Sequence, residues 1–405
     1  MNIAIVTSGY LPVPAAMGGA VEALVDNLVN ENERYQLFKL IIFSTYHEKA
    51  VRIAASKRNS AYVFIKPPYL LRICDRIIYF IAKKIKIEKH MSYRYIVQRL
   101  HYIYKVGKYL KKNNYDKVVL ENHATLFMAL KKYGNSRKYL GRYYYHLHNE
   151  VTKDYNCREL IRNCKKVLGV SRYINNTLEI FFEGSPPKHL IVLKNCVDTA
   201  LFGSIKSRKE AMNVRRKYGI AENEKIILFS GRLSKEKGIK ELLLAFRQAN
   251  IPDAKLVIVG GYFYGSKMES DYETGLKKLA ESMNDKIIFT GFVAYQQMPS
   301  IYAMADLAVV PSMWDDPAPL TVIESMASGL PLITTVSGGI PEYVNKDCAV
   351  LLARDKELVT HLAESMNTLL SKKALRERMA EASRKNAEGL NLDHYYHTFA
   401  HELLN

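Results

Sequence analysis

Two hydrophobic patterns alternate along the chain. Short continuous apolar runs read as buried strands, and stretches with apolar residues at three- and four-residue spacing read as helices packed on one face. The runs predict strands at Asn2–Ser8, Leu37–Ser44, Tyr62–Ile65, Lys117–Glu121, Arg142–His146, Val167–Val170 and Leu190–Leu193. Helical spacing predicts helices at Ala20–Asn30, Thr125–Lys132 and Arg172–Phe182. A turn-rich stretch, Lys194 to Ala221, interrupts the series and is the best domain boundary. The alternation then resumes, with strands predicted at Ile226–Ser230, Leu256–Val259, Ile287–Thr290, Leu307–Val310, Leu332–Thr335 and Ala349–Leu352. Helices are predicted between them at Glu236–Gln248, Gln296–Met304, Leu320–Ser328 and Glu357–Leu370. Alternating strands and helices imply parallel sheets covered on both faces. The expected fold class is α/β, with two Rossmann-like domains facing across a cleft. The expected bounds are residues 1–198, a linker at 199–221, a second domain at 222–387 and a final segment at 388–405. Ligands of such sheets bind at the carboxyl ends of the strands.

Leu70 to Lys112 breaks this rhythm as a long basic insertion with helical spacing. Leu70, Leu71, Cys74, Ile77, Ile78, Ile81 and Ile85 fall on one side of a helix running to Lys89. Arg72, Asp75, Arg76, Tyr79, Lys83 and Lys86 fall opposite. Tyr93, Tyr95, Tyr102, Tyr104 and Tyr109 add aromatic residues further on.

Charge sharpens this. The 405-residue chain carries 59 basic and 40 acidic side chains, a net of +19. From Lys49 to Lys112 there are 17 Lys/Arg against Asp75 and Glu88 alone. Such a surface attracts anions: nucleic acid, acidic lipid headgroups or phosphorylated substrates. No nucleic-acid-binding motif accompanies the charge, so no nucleic-acid partner is expected. A basic amphipathic helix fits an anionic membrane surface instead. The alternative is that its apolar face packs on the first domain's own sheet. No apolar stretch is long and uncharged enough to span a bilayer. Met1 leads directly into Ile3-Ala4-Ile5-Val6, which does not resemble a secretory leader. The five cysteines are scattered without zinc-ligand spacing, which points to a reducing compartment and no structural metal.

Candidate chemistry clusters after predicted strands. Asp316 and Glu324 are eight residues apart in Pro311-Ser312-Met313-Trp314-Asp315-Asp316-Pro317-Ala318-Pro319-Leu320-Thr321-Val322-Ile323-Glu324. The first falls in a loop and the second one turn into a helix. Two carboxylates without basic neighbours suit hydroxyl-rich ligands, because carboxylate oxygens accept O–H hydrogen bonds. Otherwise they cap the helix and meet its dipole. Gly231-Arg232-Leu233-Ser234-Lys235-Glu236-Lys237-Gly238 places two cations on a strand-to-helix turn, a composition suited to a diphosphate or to a solvated loop. Gly18-Gly19 opens the first helix and lets backbone approach a ligand. His148 ends one strand, and Glu121-Asn122-His123 ends another. Gly338-Gly339 supplies a turn near the same edge. No P-loop and no nucleophile elbow is present.

With these residues assembled, the chain resembles a retaining, nucleotide-sugar-dependent glycosyltransferase of family 4, with the GT-B fold. The resemblance runs through Gly18-Gly19, His148, Val170-Ser171-Arg172, Asn195-Cys196-Val197-Asp198, Gly231-Arg232…Lys237-Gly238, Phe289-Thr290-Gly291-Phe292-Val293, Ala305-Asp306, the carboxylate pair and Gly338-Gly339. It implies that Arg232 and Lys237 hold the donor diphosphate, and that no metal or other cofactor is required. It implies that Glu324 binds the ribose, Asp316 contacts the donor sugar, and Phe292-Val293 touch the base. Gly18 and Gly19 would approach the phosphates, and His148 would lie beside the transferred sugar. The final helix, about Leu392–Leu404, would cross back onto the first domain.

Two positions depart from the family pattern. The family's first acidic residue is typically Glu followed by Gly or Pro, Phe and Gly, whereas here it is Asp316-Pro317-Ala318-Pro319. Pro317 and Pro319 lack N–H groups, which leaves the amides of Ala318 and Leu320, ahead of Thr321, to meet sugar hydroxyls. Cys196 also stands where the family usually has Gly. The expected activity is hexosyl transfer from a UDP-linked sugar to a polyprenyl-diphosphate-linked saccharide. It would take place on the cytoplasmic face of the plasma membrane, in capsule or exopolysaccharide assembly. The competing readings are a nucleotide-sugar epimerase and a catalytically inert, membrane-associated partner protein.

Overall fold

Each apolar run marked as a strand forms one in the computed structural model, which describes residues 1–85, 94–261, 271–283 and 285–405. The first seven are β1 (Asn2–Val6), β2 (Lys39–Thr45), β3 (Ser60–Ile65), β4 (Lys117–Glu121), β5 (Tyr143–Leu147), β6 (Val167–Gly169) and β7 (Leu190–Val192). They make one parallel sheet in the order β3-β2-β1-β4-β5-β6-β7. The register places Ile5 opposite both Ile42 and Val119. Ile3, Ala4, Ile5 and Val6 are fully buried, as expected for a parallel strand covered on both faces.

The second series is β8 (Lys225–Ser230), β9 (Ala254–Val259), β10 (Ile287–Gly291), β11 (Leu307–Val310), β12 (Leu332–Thr335) and β13 (Ala349–Leu352). It forms a separate parallel sheet, β10-β9-β8-β11-β12-β13. Its core joins Ile227, Phe229, Leu256 and Ile258 to Leu242, Leu243 and Phe246 of the helix Ile239–Ala249, and to Leu362 and Met366 of the helix Leu358–Ser371. Each sheet therefore has the pattern of a doubly wound Rossmann-like unit. The chain runs outward from β1 and returns at β4, then outward from β8 and returns at β11. The crevice at such a reversal, at the carboxyl ends of the strands, is where α/β sheets hold ligands.

The first unit comprises Met1–Leu193 together with Tyr396–Asn405, and the second Lys194–Tyr395. The return is made within the helix Leu392–Leu404. Tyr396 donates its hydroxyl to Asn32 Oδ1 at 2.8 Å, and Lys166 donates to the Glu402 carbonyl at 3.0 Å.

Two sequence expectations need correcting. The stretch 199–221 is not a turn-rich linker, because it carries helices at Thr199–Phe202 and Ile205–Lys217. No Gly or Pro interrupts 205–217, and the buried Arg215 fixes the helix end by donating to the carbonyls of Met304, Ala221 and Glu224. The insertion also buries a different face from the one its apolar period marks, Asp75 and Ala82, while Arg72, Arg76 and Lys83 stay exposed. Its helices are Tyr69–Lys84 and Ile96–Lys112. Asp75, expected on the solvent side, is buried and accepts from the Val97 and Gln98 amides at 2.8 and 3.0 Å. It thereby satisfies amides that the first turn of the following helix leaves unpaired. Leu70, Ile77, Ile81 and Ile85 are left 49–71% exposed. Tyr102 is buried with its hydroxyl donating to the Phe43 carbonyl at 2.7 Å. Lys86, Lys89 and Tyr93 lie outside the described residues. Among the described residues, no helix is long and apolar enough to cross a membrane.

Candidate functional site

In the second unit, the loops after β8 and β11 carry the chemistry. Gly231-Arg232 directly follows β8, with Arg232 exposed. Lys237 ends a 3-10 turn, Lys235–Lys237, and Gly238 in the left-handed conformation (φ +70°) leads into the helix Ile239–Ala249. Lys237 Nζ donates to Asp316 Oδ2 at 2.5 Å and lies 5.7 Å from the centre of the Trp314 ring. Asp316 therefore has a basic neighbour, contrary to the sequence reading of two carboxylates without one. The pairing is physically required, since Asp316 is buried and a buried carboxylate without a counter-charge is strongly disfavoured.

Surrounding backbone holds the Asp316 loop. Gly338 (φ +50°) packs so closely that an added Cβ would lie 2.4 Å from the Asp316 carbonyl oxygen. The Gly339 amide donates to that oxygen at 2.9 Å. Asp315 pairs with Arg354 at 2.5 Å and accepts from the Gly338 amide at 3.2 Å. Asn195 reaches the loop from the Asn195-Cys196-Val197-Asp198 segment, donating Nδ2 to the Ala318 carbonyl at 2.9 Å. The Ala318 and Leu320 N–H groups, the two spared by the flanking prolines, donate to no other residue among the described residues. Ser312 Oγ, Trp314 Nε1 and Ser337 Oγ are buried without hydrogen-bond partners. A ligand that brings oxygen atoms satisfies such groups.

Glu324 lies in the helix Leu320–Ala327, which Pro319 precedes and Leu320 and Thr321 open. Its Oε2 accepts from the Tyr302 hydroxyl at 2.8 Å. Burial pushes the carboxyl up to about 7, and the tyrosine hydrogen bond opposes that rise. Phe292, 55% exposed, and the half-buried Val293 follow β10 at the carboxyl edge of the same sheet. Sequence spacing gave no hint of Tyr302, which enters through the neighbouring helix Met298–Ala303.

In the first unit, β1, β4 and β5 deliver a second cluster. His146 Nδ1 and His148 Nε2 both meet Glu121 Oε2, at 3.0 and 3.2 Å. Burial opposes ionisation of Glu121, and the two histidines outweigh it, holding the carboxyl down at about 2. Burial lowers His148 to about 4, so its ring is neutral near pH 7. A carboxylate only accepts, so His148 carries its proton on Nε2 and presents Nδ1 as an acceptor. These three residues bring one ligand atom each within 4.8 Å of one another. Their mutual hydrogen bonds account for that proximity. Gly18 and Gly19 (φ +77° and +105°) lead into the helix Ala20–Tyr35. A Cβ on Gly19 would meet Glu22 Oε2 at 2.3 Å. Glu22 is buried, pairs with Ser8 Oγ at 3.1 Å, and is pushed by burial up to about 7.

Comparison with known proteins now adds to this geometry. Residues 211–386 match the family of glycosyl transferases group 1. The match takes in Arg232, Lys237, Phe292, Val293, Asp316 and Glu324. Among relatives, YtcC of Bacillus subtilis (strain 168), provisionally named a glycosyltransferase, is 29% identical over 403 residues, covering 96% of this chain and 88% of that protein. Spore coat protein SA of the same organism is 28% identical, covering 96% and 95%. Among solved structures, Anabaena Alr3699/HepE in complex with UDP aligns over 100% of both chains with a TM-score of 0.74 at 18% identity. A glycosyltransferase from Rickettsia africae ESF-5 aligns over 100% of this chain and 98% of that one, with a TM-score of 0.74 at 17% identity. These neighbours share the two-unit glycosyltransferase fold.

Proposed function

We propose that this chain is a retaining glycosyltransferase that moves a hexose from a UDP-linked donor to a lipid-linked saccharide in surface-polysaccharide assembly. The Lys237–Asp316 pair at the carboxyl edge of β8 and β11 carries the reading. A donor diphosphate offers Lys237 stronger charge-assisted hydrogen bonds, with Arg232 beside it. The Asp316 carboxylate then accepts from sugar hydroxyls. As the bond from the anomeric carbon to the phosphate oxygen breaks, negative charge grows on the leaving diphosphate. Two fixed cations stabilise it most at that moment. The acceptor oxygen bonds to the anomeric carbon on the same face, and its proton passes to the leaving phosphate. In the first unit, neutral His148, fixed by Glu121, offers Nδ1 to a saccharide hydroxyl. UDP in the complex of the Anabaena neighbour supports the choice of base.

Trp314 is the chain's single tryptophan and lies beside Lys237, so its fluorescence reports the site. Titration with UDP, GDP and ADP is expected to change its emission saturably with UDP, and not in Lys237→Ala. A flat response to every nucleotide would reject the reading. The Glu324 carboxyl, raised to about 7, binds a proton on folding, so its contribution to stability falls as pH rises from its ordinary value through about 7. Ribose hydroxyls bind the ionised form, so UDP affinity is expected to rise several-fold between about pH 6 and pH 8. Glu324→Gln is expected to abolish that slope.

Attachment to an anionic membrane on the cytoplasmic side belongs to the same proposal. Leu70, Ile77, Ile81 and Ile85 form an exposed stripe on segment 69–85, with Lys84 at its margin and Arg72, Arg76 and Lys83 exposed on the other side. Apolar side chains that enter the headgroup boundary beside lysines and arginines match an acidic bilayer. Vesicles containing phosphatidylglycerol are expected to float the protein at low salt. Substituting Ile77→Glu and Ile81→Glu together is expected to release it. Wild-type protein that stays unbound would remove this part of the reading.

A further inference from the structure

Arg99 lies in the first unit, apart from the Glu121–His146–His148 cluster. It sits in the helix Ile96–Lys112 and is 94% buried. Its Nε donates to the Ser8 carbonyl at 3.0 Å, just past β1. Its Nη1 donates to the Tyr10 hydroxyl at 2.8 Å and faces His123 Nε2, just past β4, at 3.2 Å. A guanidinium only donates, so His123 accepts through Nε2. Its Nδ1 lies 3.1 Å from Thr125 Oγ1 and 3.5 Å from the Thr125 amide. Nη2 is buried with no hydrogen-bond partner. No carboxylate pairs with Arg99 among the described residues. The other buried arginine among the described residues, Arg215, directs both ends of its fork to backbone carbonyls. Arg99 thus leaves Nη2 unpartnered and its charge without a carboxylate among the described residues, at the reversal point of the first sheet. Buried charges in proteins are ordinarily paired.

Aromatic rings surround it. Tyr10, 42% exposed, lies with its ring centre 4.1 Å from the guanidinium carbon. His123 lies 6.0 Å from the Tyr10 ring and 6.1 Å from that of Tyr155, which is 43% exposed. Asn122, Tyr155 and Asn156 all adopt left-handed backbone (φ +64°, +51° and +57°), a cost that persists where the surroundings hold it.

We propose that Arg99 marks a binding site for an acidic sugar, with the guanidinium taking a carboxylate or phosphate and the rings of Tyr10, His123 and Tyr155 framing the sugar. The inference rests on the transferase reading and names its acceptor class: a saccharide that carries an anionic group. A carboxylate or phosphate oxygen takes the charge-assisted N–H groups that remain, both on Nη2. The Tyr10 hydroxyl, which accepts from Arg99, keeps its own proton to donate to the ligand.

The test is calorimetric titration of the intact protein with glucuronate, glucose 1-phosphate and glucose. At least one of the two anions is expected to bind about tenfold or more tighter than glucose. Their order tells carboxylate from phosphate. Arg99→Gln is expected to erase the preference while the Trp314 response to UDP persists. Tyr155→Ala, at an exposed ring, is expected to weaken the anion several-fold, and it decides the matter if Arg99→Gln does not fold. Equal binding of glucose and both anions overturns the proposal, as does binding of neither anion or an unchanged preference in a folded variant. Anion binding without any nucleotide response would instead sink the transferase reading and leave this site standing.

Discussion

Lys237→Ala is expected to lower the kcat/KM for donor about 10²–10³-fold, the usual cost of removing one fixed electrostatic contact to a developing charge. Its effect on the fold is separable. The substitution leaves Asp316 buried without its partner, and breaking a buried pair costs about 3–5 kcal/mol, with the lower end expected because the Lys237 side chain is 19% exposed. Asp316→Asn in the same molecule removes the stranded charge. The double variant is therefore expected to recover most of the melting temperature and none of the turnover. Thermal unfolding and a donor-turnover assay, run on both single variants and the double, read the two effects independently. Recovery of turnover with the fold would show that Lys237 is a structural counter-ion only.

Gly338→Ala is expected to be as damaging, although residue 338 carries no functional group. The new Cβ would fall 2.4 Å from the Asp316 carbonyl oxygen and 2.6 Å from the Asp315 carbonyl carbon. Both are backbone atoms, so relief requires the loop itself to move. The left-handed backbone adds strain of about 1–3 kcal/mol. Displacement of this loop moves Asp316 away from Lys237 and shifts the Ala318 and Leu320 amides with it. UDP affinity, read by Trp314 fluorescence, is expected to fall at least about tenfold, since 1.4 kcal/mol of lost contact suffices. Wild-type affinity in Gly338→Ala would mean that the loop is not part of the donor site.

The alternation of apolar runs and helical spacing was enough to place all thirteen strands of the two sheets, because buried parallel strands need little beyond continuous apolar side chains. It failed where an element is held by particular contacts. The Ile205–Lys217 helix reads as charged and irregular, and what fixes it is Arg215 on distant carbonyls and Ser300 on Glu210. The basic insertion has a clear amphipathic period, but periodicity does not say which side is buried. The Asp75 contacts with Val97 and Gln98 decide that, across a stretch of chain that periodicity does not bridge. The site shows the same division. Lys237, Asp316, Glu324 and His148 were singled out as candidates because each follows a strand. Arg99, Tyr302 and Glu22 were not, since their surroundings come from elements far away in sequence.

The tail that rejoins the first unit sets a timetable for synthesis. Lys117 and Lys166 donate to the carbonyls of Leu403 and Glu402, and Asn32 receives the Tyr396 hydroxyl, so the first unit is completed by the final residues of the chain. All of 194–395 must leave the ribosome before those contacts can form. The second unit is continuous in sequence, and the residues that complete the first are made after it. The unit that begins first therefore finishes last, and a ribosome stalled anywhere short of the final helix holds a first unit whose lysines still lack their carbonyl partners.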